Sequence, residues 1–113
     1  MKEEILLLKI QNALKEGKDF YEATSGNWKM DKRRWPYIQY VAGVNEGKVV
    51  CAFQPSKWEV IEEGMDKGRK RFDGIEAPAE ILTKLQRAEE QVLKKFGSGS
   101  AVAYISLAEL DII

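Results

Sequence analysis

Residues 36–53 read PYIQYVAGVNEGKVVCAF, and this stretch decides the fold. Two runs rich in β-branched and aromatic residues flank NEG, with Gly47 placed to supply a positive φ, so the spacing predicts a β-hairpin. Pro36 stands at the start of the first run, where a missing N–H does least harm. In the second run Val49, Cys51 and Phe53 alternate with Val50, Ala52 and Gln54. Apolar side chains on both faces imply a strand covered on both sides.

Downstream, Pro55 and the Ser56-x-x-Glu59 box predict a short helix or turn around Trp58. GMDKG is a loop. GRKRFDGIEA, residues 68–77, reads as a third strand centred on Phe72, charged on both sides and so near a sheet edge. Pro78 opens PAEILTKLQRAEEQVLKKF, where Ile81, Leu82, Leu85, Ala88, Val92, Leu93 and Phe96 form one apolar helical face. Lys94 and Lys95 suit a helix C-terminus, and Gly97 is the expected stop. GSGS at 97–100 reads equally as a cap with its turn or as a linker-like insert. AVAYI is a last short strand, and Ser106 with Glu109 caps a final turn.

Upstream, EEILLLKIQNALKEG leaves two readings open. Propensity favours a helix ending at Gly17, whereas ILLLKI is short enough for a buried strand. We take the helix as the propensity-based expectation. Asp19 with Glu22 opens a short helical turn, and SGN at 25–27 breaks it. The sum is an α+β fold in a single domain, residues 1–113: a small, mostly antiparallel sheet or a partly open β-barrel, with one long helix in the C-terminal half packed on it.

Composition narrows the function. At 113 residues, with 44% hydrophobic and 32% charged side chains, the chain has an ordinary globular balance. Its formal net charge is zero, so any attraction to a polyanion must come from local segregation of charge. Cys51 is the single cysteine and lies in an apolar run, which excludes an internal disulfide and implies an inert, buried thiol. There is no histidine, so the commonest general base, zinc ligand and nucleophile partner are all missing. The apolar run ILLL is too short to span a membrane, and a cytoplasmic location is expected. No phosphate-loop, dinucleotide or C-x-x-C motif occurs, and neither a cofactor nor a metal is expected.

Two basic–aromatic clusters remain: Trp28-Lys29-Met30-Asp31-Lys32-Arg33-Arg34-Trp35 and Lys67-Gly68-Arg69-Lys70-Arg71-Phe72. Arginine forks bind phosphate bidentately, and a neighbouring aromatic plane can stack a base. Either cluster alone reads as solvated surface; their repeated chemistry favours a ligand rim. Trp28, Lys29, Arg33, Arg34, Trp35, Arg69 and Arg71 are the candidate binding residues. An acidic block, Glu59, Glu62, Glu63 and Asp66, opposes them. Tyr37 and Tyr40 differ in parity along their strand, so they face opposite sides. Glu76 and Glu80 flank the long helix's N-terminus and suit its dipole better than acid–base work.

The order YEATSGNW, YIQYVAGV, GKVVCAF, Trp58 and GRKRFDGIEA resembles a small PUA/EVE-like domain, seen alone in phages and bacteria or beside nuclease modules. Its pattern is an EATRG–W stretch, an apolar hairpin, a tryptophan and an R-F-G-A strand. The resemblance covers residues 4–77, with AVAYI as a further match. Ser25 stands where the pattern has arginine, so this chain lacks that side chain. The resemblance implies a small curved sheet or barrel, often binding RNA or modified bases, and a strand over Ile5–Ile10.

The expected function is therefore non-catalytic binding of a phosphate-bearing ligand, whether RNA, DNA or a nucleotide. Arg33, Arg34, Arg69 and Arg71 would hold phosphates, with Trp28 and Trp35 as a stacking wall. The alternative is a small phage or mobile-element protein acting on a host protein partner, for instance as an enzyme inhibitor, with Trp28, Trp35 and Trp58 as anchors. Catalysis through Glu/Asp, Tyr or Lys is a third reading, for which no spacing predicts a converging carboxylate pair. A homodimer through an exposed strand edge is the remaining partner expectation.

Overall fold

Ile5, Leu6, Leu7 and Leu8 are all 0% exposed, and they form the middle of the molecule. They belong to strand β1 (Glu4–Lys9), so the helix expected over this segment is corrected to a strand followed by a short helix, α1 (Gln11–Lys15). Four consecutive apolar side chains cannot share one helical face, but a strand covered on both faces buries them all. Each such burial is worth about 1.5–3 kcal/mol, which outweighs a helix preference of a few tenths per residue.

The structure is a computed structural model and describes residues 3–112. After α1 come α2 (Phe20–Ser25), a 3-10 turn (Lys32–Tyr37), β2 (Ile38–Asn45), β3 (Lys48–Val60) and β4 (Lys70–Glu76). They are followed by α3 (Ala79–Arg87), α4 (Glu89–Leu93), β5 (Val102–Ser106) and α5 (Leu107–Ile112). The sheet order is β4-β3-β2-β1-β5. β1 runs parallel to β2, and the other three neighbouring pairs are antiparallel. The sheet is mostly antiparallel and open, with β4 and β5 as edges, so the barrel alternative does not describe it.

The hairpin at β2–β3 is present, turning through Glu46 (φ 49°) and Gly47 (φ 81°). Both turn residues have positive φ, as a two-residue hairpin that follows the sheet twist requires. Pro36 precedes the strand, inside the 3-10 turn, and Tyr37 ends that turn rather than starting β2. The register shifts between Gly43 and Val44. Val49 and Ala52 therefore face the helices α3–α5, while Val50, Cys51 and Phe53 face the other layer. Strict alternation from Val49 to Gln54 is thus corrected to a bulge at Val50.

β3 then runs on through Trp58, where a helix or turn was expected. Ser56 does not cap a helix; its hydroxyl donates to the Asp73 carbonyl on β4 at 3.1 Å. The single long helix expected over 78–96 is two, α3 and α4, separated at Ala88 (φ −100°, ψ 19°). Ile81, Leu85, Ala88 and Val92 still present one buried face to the sheet. α1, α2 and residues 28–35 cover the opposite face, so the sheet lies between two layers.

Candidate functional site

Lys9 ends β1, and its neighbours there come from four other places in the chain. α1 and its exit supply Asn12, Glu16 and Lys18; the exit of α2 supplies Gly26, Asn27, Trp28 and Lys29; the β3–β4 connection supplies Asp66 and Arg69; the approach to β5 supplies Ser100 and Ala101. Together they line a cleft of about 540 Å³. A cleft of this size suits a small ligand or a segment of a larger one.

One wall of the cleft is a network. Asn27 donates its side-chain amide to the Asp66 carboxylate at 2.8 Å. Arg69 lies 3.8 Å from the other Asp66 oxygen and donates to the Asn27 carbonyl at 3.4 Å. Trp28 is fixed behind it. Its indole N–H donates to the Thr24 carbonyl at 2.8 Å, and its backbone exchanges two hydrogen bonds with Lys70, each 2.8 Å. Lys18, Lys29 and Arg69 bring three positive charges against the carboxylates of Glu16 and Asp66, with Lys18 3.7 Å from Glu16, while the Lys9 ammonium turns away and lies 4.9 Å over the Phe96 ring. A neutral chain thus has a locally positive cleft, which is the segregation of charge that an anionic ligand needs.

The seven candidate residues do not form one site. Trp28, Lys29 and Arg69 line this cleft. Trp35 and Arg71 line a second, shallower groove of about 760 Å³, with Lys32, Trp58, Glu59, Val60 and Glu62. Arg33 and Arg34 line neither. Arg33 is 87% exposed and folds back on Asp31, with its Nε–H 2.9 Å from a carboxylate oxygen. That contact holds the Asp31 carboxyl down to about 2. Arg34 pairs with Glu4 at 3.1 Å and lies 3.9 Å over the Tyr104 ring, tying the 3-10 turn to β1 and β5. Arg71 is shared by Glu59 (3.9 Å) and Asp73 (3.5 Å). The four arginines therefore do not share a single rim: only Arg69 lines the cleft, and all four lie against carboxylates of the chain itself, Arg69 against Asp66.

Two cleft residues, Lys9 and Lys18, were not singled out from the sequence. Neither belongs to a basic cluster, and Lys9 borders the cleft only because it ends β1, an interior strand of the sheet. For Lys9 the signal lies in the alternative strand reading of Ile5–Ile10.

In the second groove Trp35 and Trp58 stack, ring centroids 5.6 Å apart and planes 13° from parallel, and Trp58 in turn packs on Phe72 at 5.2 Å. The Trp35 indole N–H is buried and meets no acceptor among the described residues. Burial pushes the Cys51 thiol up, and its sulfur sits 3.4 Å from the Thr24 hydroxyl inside the core. Among the described residues, no group of three or more His, Cys, Asp or Glu side chains is arranged to hold a metal, and no helix is long and apolar enough to cross a membrane. No family model, curated protein or solved structure matches the chain.

Proposed function

We propose that the protein is a non-catalytic binder of a phosphate-bearing ligand, nucleic acid or nucleotide, acting in the cleft at the end of β1. The observation that supports this most is the convergence of Lys18, Lys29 and Arg69 from three separate segments on one concave, tryptophan-backed space. Lysines supply point charges for phosphate, and the Arg69 fork, already oriented by Asp66 and Asn27, supplies directed donors. The ring of Trp28 offers an apolar wall for a base or sugar. The resemblance of residues 4–77 to PUA/EVE-like domains points the same way, and a cytoplasmic setting is part of the reading.

Fluorescence anisotropy with labelled single-stranded RNA and DNA, competed by a nucleoside triphosphate across a salt series, tests it. Lys29→Ala and Arg69→Ala should each weaken binding about three- to tenfold and reduce the slope of log affinity against log salt by about one. Arg33→Ala and Lys84→Ala should change neither quantity. Absence of polyanion binding, or binding indifferent to Lys29 and Arg69, would overturn the proposal.

A further inference from the structure

The second groove has the opposite character to the cleft, although both are built partly from the β3–β4 connection. Its floor is the Trp35–Trp58 stack, and Glu59, Glu62 and Glu63 stand beside it. Glu59 is engaged by Lys57 and Arg71, and Arg71 is engaged in turn by Glu59 and Asp73. Glu62 and Glu63 are exposed and make no ion pair among the described residues. Val60, at the end of β3 and 39% exposed, and Ile61 also line the groove. With Lys32 and Arg71 against Glu59, Glu62 and Glu63, the lining keeps carboxylates in excess, and they share one surface with an aromatic floor and an apolar fringe.

A phosphate-bearing ligand would meet Glu62 and Glu63 as like charges, so this groove does not extend the first site. A guanidinium fits both parts of it. It is planar and weakly hydrated, stacks on indole, and pairs with a carboxylate through its edge. We infer that this groove docks an arginine-bearing basic segment of a partner protein. Charge complementarity selects the occupant, the stacked tryptophans give it a face to lie on, and Val60 and Ile61 supply contacts for an apolar residue alongside. The inference is independent of the phosphate cleft, because none of its anchoring side chains lines that cleft.

The test uses a short peptide of alternating arginine and glycine, titrated calorimetrically and by tryptophan emission. The same peptide with glutamate in place of arginine is the counter-probe. The arginine peptide should bind and shift the emission, and the double variant Glu62→Gln/Glu63→Gln should weaken it about five- to tenfold. Lys29→Ala, which lies in the other cleft, and Glu80→Gln/Glu90→Gln, on α3 and α4, should leave it unchanged. Any one of four results would overturn the proposal. They are no binding of the arginine peptide; equal loss in the Glu80/Glu90 double variant, which would make the attraction diffuse; binding of the glutamate peptide or of an oligonucleotide that Trp35→Phe weakens; and self-association abolished by Glu62→Gln/Glu63→Gln, which would place a second copy of the chain in the groove. All variants alter exposed side chains except Trp35→Phe, whose thermal unfolding is measured alongside.

Discussion

The Tyr21 hydroxyl on α2 accepts the Gly74 backbone N–H on β4 at 3.1 Å. β4 is an edge strand, and this contact and the Trp28–Lys70 pairing occupy outward-facing backbone groups at two places along it. An unpaired edge is a template for another chain, so the segment from Tyr21 to Trp28 protects the fold as well as shaping the cleft. At the opposite edge, the Ser100 hydroxyl accepts from the Val102 N–H and donates to the Val102 carbonyl. Edge pairing into a homodimer thus has short free stretches to work with on either side.

Tyr21→Phe should keep the ring contacts with Phe53 and Phe72 and lose only the hydrogen bond, costing about 1 kcal/mol. Gly74→Ala should cost more, about 2–3 kcal/mol. A methyl there would press on the Gln54 carbonyl and lie 2.9 Å from the Pro55 Cα, both rigid backbone. Urea denaturation of the two variants checks the order. A Gly74→Ala protein as stable as Tyr21→Phe would show that β3 gives way where its register with β4 shifts, between Pro55 and Lys57.

Gly43 on β2 is crowded by side chains instead. A Cβ there would lie 2.6 Å from the Cys51 sulfur, 2.8 Å from Ile10 Cδ1 and 3.0 Å from the Thr24 hydroxyl. Gly43→Ala should destabilise by about 2–3 kcal/mol, and Cys51→Ala in the same chain should recover part of that loss by removing the nearest obstacle. A double-mutant cycle in urea should give a coupling of about 1 kcal/mol or more. Strict additivity would mean that Ile10 or Thr24, not Cys51, sets the clash.

The parts of this fold that were legible in the sequence are those decided locally. The β2–β3 hairpin was readable because Gly47 and the flanking β-formers specify the turn whatever packs on it. Strand β1 was not, because Ile5–Leu8 has no periodicity, and only its β2 and β5 neighbours make a strand of it. Trp58 was misassigned for the reverse reason. Ser56 and Glu59 have capping-box spacing, yet pairing of Trp58 with Phe72 across β3–β4 outweighs a cap worth about 1 kcal/mol. In the cleft, Trp28, Lys29 and Arg69 announced themselves by composition, whereas Lys9 and Lys18 depended on topology. Arg33 and Arg34 shared that composition, but charge density along a chain does not disclose that Asp31 and Glu4 hold them.

Val49 shows how α3 and α4 are registered on the sheet. β4 pairs with β3 only from Phe53 onward, so the outward backbone at Val49 has no strand beside it. Glu89 accepts its N–H at 3.0 Å, and the Gln86 amide donates to its carbonyl at 3.0 Å. Glu89→Ala and Gln86→Ala should each cost about 1 kcal/mol, more for Glu89 because its bond is charge-assisted. Amide hydrogen exchange provides the specific readout: the Val49 N–H should lose protection in Glu89→Ala and retain it in Gln86→Ala.

Asp31 gives the turn after Trp28 a definable acid limit. Its carboxylate accepts from the Arg33 side chain and from the Arg33 backbone N–H at 2.9 Å, and these bonds hold its folded value near 2, below the ordinary 3.8. For a carboxylate lowered on folding, the stabilisation is present above about 3.8 and is lost as pH falls through about 2. The turn should stay intact at pH 4 and loosen between 3.8 and 2. Carboxyl chemical shifts followed through an acid titration check this. Asp31→Asn should remove the acid-dependent step, and an Asp31 midpoint near the ordinary value would show that the Arg33 contact is not held in solution.

Trp35 and Trp58 touch face to face but should not be equivalent in stability. Trp58 sits between Trp35 and Phe72, and Phe72 is 1% exposed in the core, so Trp58→Ala should cost about 2–4 kcal/mol. Trp35 forms the outer member of the stack, and its buried N–H meets no acceptor. Trp35→Phe keeps an aromatic face and deletes that unsatisfied donor, whose burial alone costs about 1–3 kcal/mol. The lost ring area and the removed donor therefore oppose each other, and the net change should stay within about 1 kcal/mol. Urea midpoints for the two variants make the comparison. A large loss in Trp35→Phe would mean that the indole N–H finds an acceptor in solution and that Trp35 is held as firmly as its neighbour.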